Sequence, residues 1–89
     1  MGKNLNFILI FLIGCNGAAE NNAVRWTHKI YPAEPIYSVS CSEDENKAGL
    51  VDCVVAVEAV GRLFNHKLKC YNRKVIFPAS KVCEEVFDG

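Results

Sequence analysis

Residues 48–64, AGLVDCVVAVEAVGRLF, decide the fold of this 89-residue chain because they fit two different secondary structures. Read as a helix, the stretch has one apolar face, formed by Leu50, Cys53, Val57, Val60 and Phe64. Asp52, Glu58 and Arg62 then share the opposite face, and Ser42 with Glu45 forms a capping box just before the helix. Five valines and two glycines weaken this interpretation, but the compact polar face and the start signals favour a helix.

Read as a hairpin, the same stretch turns at Gly61-Arg62, with glycine at the first central position as a type II′ turn requires. That turn places Cys53 directly opposite Cys70 in a pair without backbone hydrogen bonds, where side chains approach most closely. Both interpretations of residues 48–64 stay open at this point.

The flanking segments predict further strands. Residues 36–41, IYSVSC, alternate in the way of a half-buried strand. In residues 66–77 apolar and charged side chains also alternate, and a turn at Asn72-Arg73 makes this segment a second hairpin. Ser80 can cap a short closing helix. We therefore expect a small α+β domain, with an antiparallel sheet of about three strands and one or two helices.

The N-terminus has the order of an export signal. Lys3 precedes the apolar run NFILIFLI at residues 6–13, which is too short to span a bilayer, and small residues follow it. We expect a signal peptide at residues 1–19, an extended arm or tether at residues 20–35 and a single domain at residues 36–89. The chain is then secreted, and no sequon for N-glycosylation occurs in it.

Five cysteines are present. If the signal peptide is cut after Cys15, this cysteine is removed with it; if the cut falls directly before Cys15, the cysteine becomes a lipidated N-terminus. The remaining four are Cys41, Cys53, Cys70 and Cys83, an even number that predicts two disulfides in an exported domain of this size. We favour Cys41 with Cys83 and Cys53 with Cys70. The cysteine spacing lacks the close pairs of structural zinc sites, so we expect no metal, and no motif indicates a cofactor.

No arrangement typical of catalysis is evident. The two histidines, His28 and His66, fall in the predicted arm and beside a charged strand, and paired cysteines offer no thiolate. We therefore predict a protein without enzymatic activity.

Charge is segregated along the chain although Lys and Arg, ten in all, balance ten Asp and Glu. Between Ala59 and Cys83 lies a basic band of six Lys and Arg, Lys81 among them, without any acid. Its candidate binding residues are Arg62, Lys67, Lys69, Tyr71, Arg73 and Lys74. Such a band can engage an acidic protein partner, an anionic surface or an RNA backbone, or it can be the solvated face of a hairpin.

Two resemblances extend these expectations. Leu12-Ile13-Gly14-Cys15 resembles the lipobox of bacterial lipoproteins, which implies a membrane anchor on Cys15 as an alternative to secretion. Residues 36–89 are similar in layout to the small cysteine-stapled effectors of filamentous plant pathogens, the ribonuclease-like type above all. The likeness lies in a strand holding Tyr37 and Cys41, a helix, further strands and a last Cys83, although the usual Y-x-C spacing is Y-x-x-x-C here. It implies an effector that binds a partner, with a small ribonuclease as a second alternative.

Overall fold

The computed structural model describes residues 17–87. Its elements are helix α1 (Ala18–Ile30), strands β1 (Ile36–Cys41), β2 (Leu50–Ala59) and β3 (Arg62–Tyr71), a 3₁₀ helix (Ala79–Lys81) and strand β4 (Cys83–Glu85). The strands form one antiparallel sheet in the order β1-β2-β3-β4, and α1 packs on one of its faces. The expected α+β fold is confirmed, with four strands instead of about three. Within residues 17–87, no helix is long and apolar enough to cross a membrane.

Residues 48–64 form most of a hairpin, so the favoured helix was wrong. In β2 every second residue from 51 to 57 is buried on the side of α1, and these residues are Val51, Cys53, Val55 and Val57. β-branched residues with a period of two suit a half-buried strand better than a helix, where their side chains lose rotamer freedom. The valines that weakened the helix interpretation were therefore the informative signal.

The turn of this hairpin lies one residue earlier than the sequence predicted. Val60 and Gly61 both have positive φ, 45° and 75°, as the two central residues of a type I′ turn require. Ala59 consequently pairs with Arg62, and Cys53 lies opposite Leu68 instead of Cys70. The shift of two residues in register leaves every side chain on its expected face, because the period of a strand is two.

All four domain cysteines are in disulfides, as expected, but the favoured pairing was wrong. The bonds are Cys41–Cys53 and Cys70–Cys83. Each joins residues that lie directly opposite each other on adjacent antiparallel strands, with Cα atoms 4.0 and 4.1 Å apart. The register of β1 with β2 and of β3 with β4 therefore decides the connectivity.

The predicted arm at residues 20–35 was also wrong, since α1 occupies Ala18–Ile30. Its buried residues recur every three or four positions, and they are Ala19, Asn22, Ala23, Trp26 and Thr27. Small and polar side chains on this face concealed the helical pattern in the sequence. The predicted signal at residues 1–19 lies outside the described residues except for its last three, of which Ala18 and Ala19 begin α1.

The segment after β3 departs from the expected second hairpin. Residues 72–78 are irregular, so the strand predicted around Val75 and Phe77 is absent, and the last strand is β4. The short helix expected at Ser80 is the 3₁₀ turn Ala79–Lys81. Val82 after it is fully buried in the core.

Candidate functional site

The connection between β3 and β4 presents exposed cationic and apolar side chains within one short segment. We call residues 71–82 the cationic loop; the Cys70–Cys83 disulfide closes it at its base. Its exposed side chains are Arg73, Lys74, Ile76, Phe77, Pro78 and Lys81. Pro78 lacks a backbone donor, which discourages a strand through this segment and leaves it as a loop.

Helix α1 holds the cationic loop in place. The buried Asn22 donates from Nδ2 to the carbonyl oxygens of Tyr71 and Arg73, at 2.9 and 3.1 Å. Arg25 Nη2 donates to the carbonyl oxygen of Phe77 at 3.3 Å. With Val82 buried at its end, the loop is attached to the domain at several points along its length, which favours one preformed shape.

Aromatic rings and a guanidinium group stack within the loop. The rings of Tyr71 and Phe77 meet edge to face with centroids 5.4 Å apart. The Arg73 guanidinium carbon lies 5.6 Å from the Tyr71 ring centroid, a cation–π distance. A shallow cavity of about 310 Å³ lies against Tyr71, Phe77, Pro78 and Lys81, and a groove of about 590 Å³ runs between the first half of α1 and Lys74.

The positive charge of this surface is not neutralised by neighbours. Arg25, Arg73, Lys74 and Lys81 are exposed, and in residues 17–87 none of them forms an ion pair. Between these cations Ile76 is 98% exposed and Phe77 40% exposed. An almost fully exposed isoleucine next to a phenylalanine, on a loop with several exposed cations, is the combination expected of a contact surface.

The structure divides the predicted basic band among three places. Tyr71, Arg73 and Lys74 come together in the cationic loop. Lys67 and Lys69 lie on the sheet face that α1 leaves open, and Lys69 Nζ contacts Asp52 Oδ1 at 2.7 Å. Arg62 lies at the far end of the β2–β3 hairpin, over the ring of Phe64 at 5.7 Å.

The candidate binding residues taken from the sequence omitted four residues of this surface, which are Arg25, Ile76, Phe77 and Lys81, although Lys81 belongs to the basic band. Ile76 and Phe77 were taken for the end of a strand, although Pro78 directly after them was a signal for a loop. Arg25 carried no signal of its own, because its place beside the loop depends on the helix that the sequence did not reveal.

A second cluster surrounds His66, which lies partly buried on β3. Its Nδ1 is 3.0 Å from Glu85 Oε2, and its Nε2 is 2.9 Å from Glu34 Oε1. The Tyr31 hydroxyl donates to Glu85 Oε1 at 2.7 Å, and the Tyr31 and His66 rings stack with centroids 4.2 Å apart. The hydrogen bond to Glu85, burial and the nearby carboxylates raise the pKa of Tyr31 to about 12.

This cluster is arranged for structure more than for catalysis. A histidine acting as a general base needs a ring nitrogen within reach of a substrate proton, and both nitrogens of His66 already contact carboxylates. The contacts instead join the end of α1, the segment before β1, and strands β3 and β4. Among residues 17–87, no group of three His, Cys, Asp or Glu side chains is arranged to hold a metal ion.

No protein-family model matches this chain, and no curated protein or solved structure matches it significantly.

Proposed function

We propose that this chain is a small exported binding protein without enzymatic activity, which engages an anionic partner through the cationic loop. The observation that carries the proposal is the exposed Ile76-Phe77 pair on a loop that also carries Arg73 and Lys74 and is contacted by Arg25. It supports binding because exposed apolar surface gains free energy when a partner covers it.

The attachment of the loop strengthens the argument. A flexible loop would lose conformational entropy on binding, which weakens affinity. The cationic loop is already held by the Cys70–Cys83 bond, by Asn22 and by Arg25, so less entropy remains to be lost. Its cations also increase the rate at which an anionic partner is encountered.

Export is supported by the two disulfides, since such bonds persist in oxidising compartments. The signal peptide, the effector role and the alternative anchor on Cys15 rest on the sequence alone. They are part of the proposal because they would determine where the cationic loop acts.

Heparin, a soluble polyanion, provides a direct test. The oxidised protein is applied to a heparin column, and the salt concentration of elution is compared with that of the variant Arg73→Glu/Lys74→Glu. We expect the variant to elute at clearly lower salt, because two charges of the cationic loop are reversed.

The matched control is Lys29→Glu/Arg62→Glu, which changes the net charge by the same amount at exposed positions outside the loop. The control should elute near the wild-type position. Equal shifts of both variants would show that only net charge matters, and the proposal would then be wrong.

A further inference from the structure

We infer that the anionic partner of the cationic loop is a lipid bilayer surface containing acidic phospholipids. The inference rests on the proposed function, because it assigns a partner to the same loop. It follows from three features: the kind of side chain at the loop's exposed positions, the position of Gly17 and the placement of the acidic residues.

The exposed side chains match the two layers of a membrane surface. Ile76 and Phe77 are adjacent and exposed, and they can enter the boundary between headgroups and acyl chains. Arg25, Lys74 and Lys81 are long cationic side chains suited to the headgroup phosphates beside them. Each such cation near an acidic membrane contributes about fivefold to the partition coefficient.

The preceding chain enters the domain on this same side. Gly17 and Lys74 line one groove, and a Cβ atom built on Gly17 would lie 3.4 Å from Asn72 Oδ1 at the start of the loop. Residues 1–16, which contain the apolar run at residues 6–13 and Cys15, therefore join the domain beside the cationic loop. A lipid attached at Cys15 would be only two residues from this surface, so anchor and loop would address the same bilayer.

The exposed acidic residues should determine how the domain is oriented on the membrane. Glu43, Asp44 and Glu45 are exposed in the connection between β1 and β2, and Glu45 Oε2 accepts a hydrogen bond from Asn72 Nδ2 at 3.0 Å. An acidic membrane repels these carboxylates, so the domain should turn the flank of Arg25, Lys74 and Ile76 towards the lipid. Neutralising Glu43 and Asp44 with Gln and Asn should then strengthen binding by a few-fold.

Cosedimentation with vesicles tests the inference. Protein recovered from an oxidising secretion host, with its N-terminus determined by intact mass, is mixed with vesicles of phosphatidylcholine alone or with added phosphatidylserine. We expect binding to the vesicles that contain phosphatidylserine, weakening as salt increases, and little binding to phosphatidylcholine alone. Ile76→Ser should lower the partition coefficient by about tenfold, and Arg73→Glu/Lys74→Glu by at least as much.

Two controls keep the result specific to the loop. Leu63→Ser removes a 54% exposed apolar side chain at the hairpin end, and Lys29→Glu/Arg62→Glu matches the change in charge; neither should alter binding by more than about twofold. Circular dichroism and the mass of the oxidised protein verify that each variant folds. A free N-terminal segment cannot explain a difference between these variants, since all share it.

Four results would overturn the inference. Equal binding to both kinds of vesicle would show that acidic lipid is not required. Unchanged binding of Ile76→Ser would show that the exposed apolar side chain does not contribute to binding. Heparin binding that depends on the loop, without any vesicle binding, would mean a soluble anionic partner; the proposed function would then stand without its membrane. If the protein binds neither heparin nor vesicles, the inference and the proposed function are both wrong.

Discussion

Two connections between strands lie side by side at one end of the sheet. Each is closed by a disulfide, but they differ in the hydrogen bonds that hold them in place. The acidic loop, residues 42–49, joins β1 to β2 above the Cys41–Cys53 bond, and the cationic loop joins β3 to β4 above Cys70–Cys83. The bonded cysteines are separated by 12 and 13 residues in the sequence. The covalent constraint is therefore almost the same for both loops.

The acidic loop organises itself. Asn46 Oδ1 accepts from the backbone N–H groups of Ala48 and Leu50 at 2.8 and 3.0 Å, and its own N–H donates to the Leu50 carbonyl. Gly49, at φ 83°, closes the turn onto Asn46. Residues 42–48 are all exposed. The acidic loop contacts the cationic loop through Asn72, whose backbone N–H donates to the Gly49 carbonyl and whose Nδ2 donates to Glu45 Oε2, both at 3.0 Å.

The cationic loop instead depends on α1 through Asn22 and Arg25. Because α1 holds the loop backbone, the exposed apolar side chains of the loop keep one position although they are not packed in a hydrophobic core. The difference teaches that a disulfide of a given span sets how far a loop can open, whereas hydrogen bonds from a neighbouring element decide which side chains it presents.

Removing each disulfide in turn should produce the largest effect and separate the two loops most clearly. We expect Cys41→Ser/Cys53→Ser and Cys70→Ser/Cys83→Ser each to lower the free energy of unfolding by about 3 kcal/mol, since both close loops of similar length. Heparin and vesicle binding should fall only for Cys70→Ser/Cys83→Ser. Denaturant unfolding gives the stabilities, and binding is measured under conditions where both variants are folded. A loss of binding in both variants would contradict this expectation and would mean that the hydrogen bonds of Asn72 couple the two loops.

Removing the asparagine that organises each loop should give the next largest effect. Asn22→Ala leaves the carbonyl groups of Tyr71 and Arg73 without their partner, and Asn22 is only 3% exposed, so we expect a loss of about 2 kcal/mol. Asn46→Ala, in an exposed loop where water replaces the lost bonds, should cost about 1 kcal/mol or less. Urea unfolding measures both. Equal losses would mean that α1 does not hold the cationic loop more firmly than the acidic loop holds itself.

A smaller effect than that of Asn22→Ala should come from the contact just beyond the cationic loop, between Tyr31 and Glu85 of β4. Tyr31→Phe removes a hydrogen bond to a carboxylate, and we expect a loss of about 1.5 kcal/mol near neutral pH.

The same contact predicts a dependence on pH. The folded-state pKa of Tyr31, about 12, lies above the ordinary tyrosine value of 10.0, so the contribution of this hydrogen bond is complete below pH 10 and is lost as the pH increases towards 12. The difference in stability between the wild type and Tyr31→Phe should therefore shrink above pH 10. A difference that stays constant up to pH 12 would contradict the assignment of this shift to Tyr31.

Much of this fold could be anticipated, and the failures have physical reasons. The alternation in β1 and β3 and the even cysteine count predicted strands and two disulfides correctly. The helix α1 was missed because its buried face uses Asn22 and Thr27, whose burial depends on a sheet that lies elsewhere in the sequence. The pairing of cysteines was missed because it depends on register, and the hairpin turn lies at Val60-Gly61, where a valine is an unusual occupant of positive φ.

For the candidate site, the sequence showed which residues are cationic but not which of them share one surface. Lys67 and Lys69 neighbour Tyr71 and Arg73 in the chain, yet strand geometry and the turn after β3 direct them to different places.

The sequence alone determined the class of this domain, because strand periodicity, composition and cysteine parity are local properties that hold whatever the tertiary arrangement. Tertiary structure alone decided which cysteines bond and which cations stand together, because both depend on which residues lie opposite each other across strands. It also decided that an exposed Ile76 and Phe77 are held beside Arg25. That juxtaposition joins two segments about 50 residues apart, and only the packing of α1 on the sheet brings them into contact.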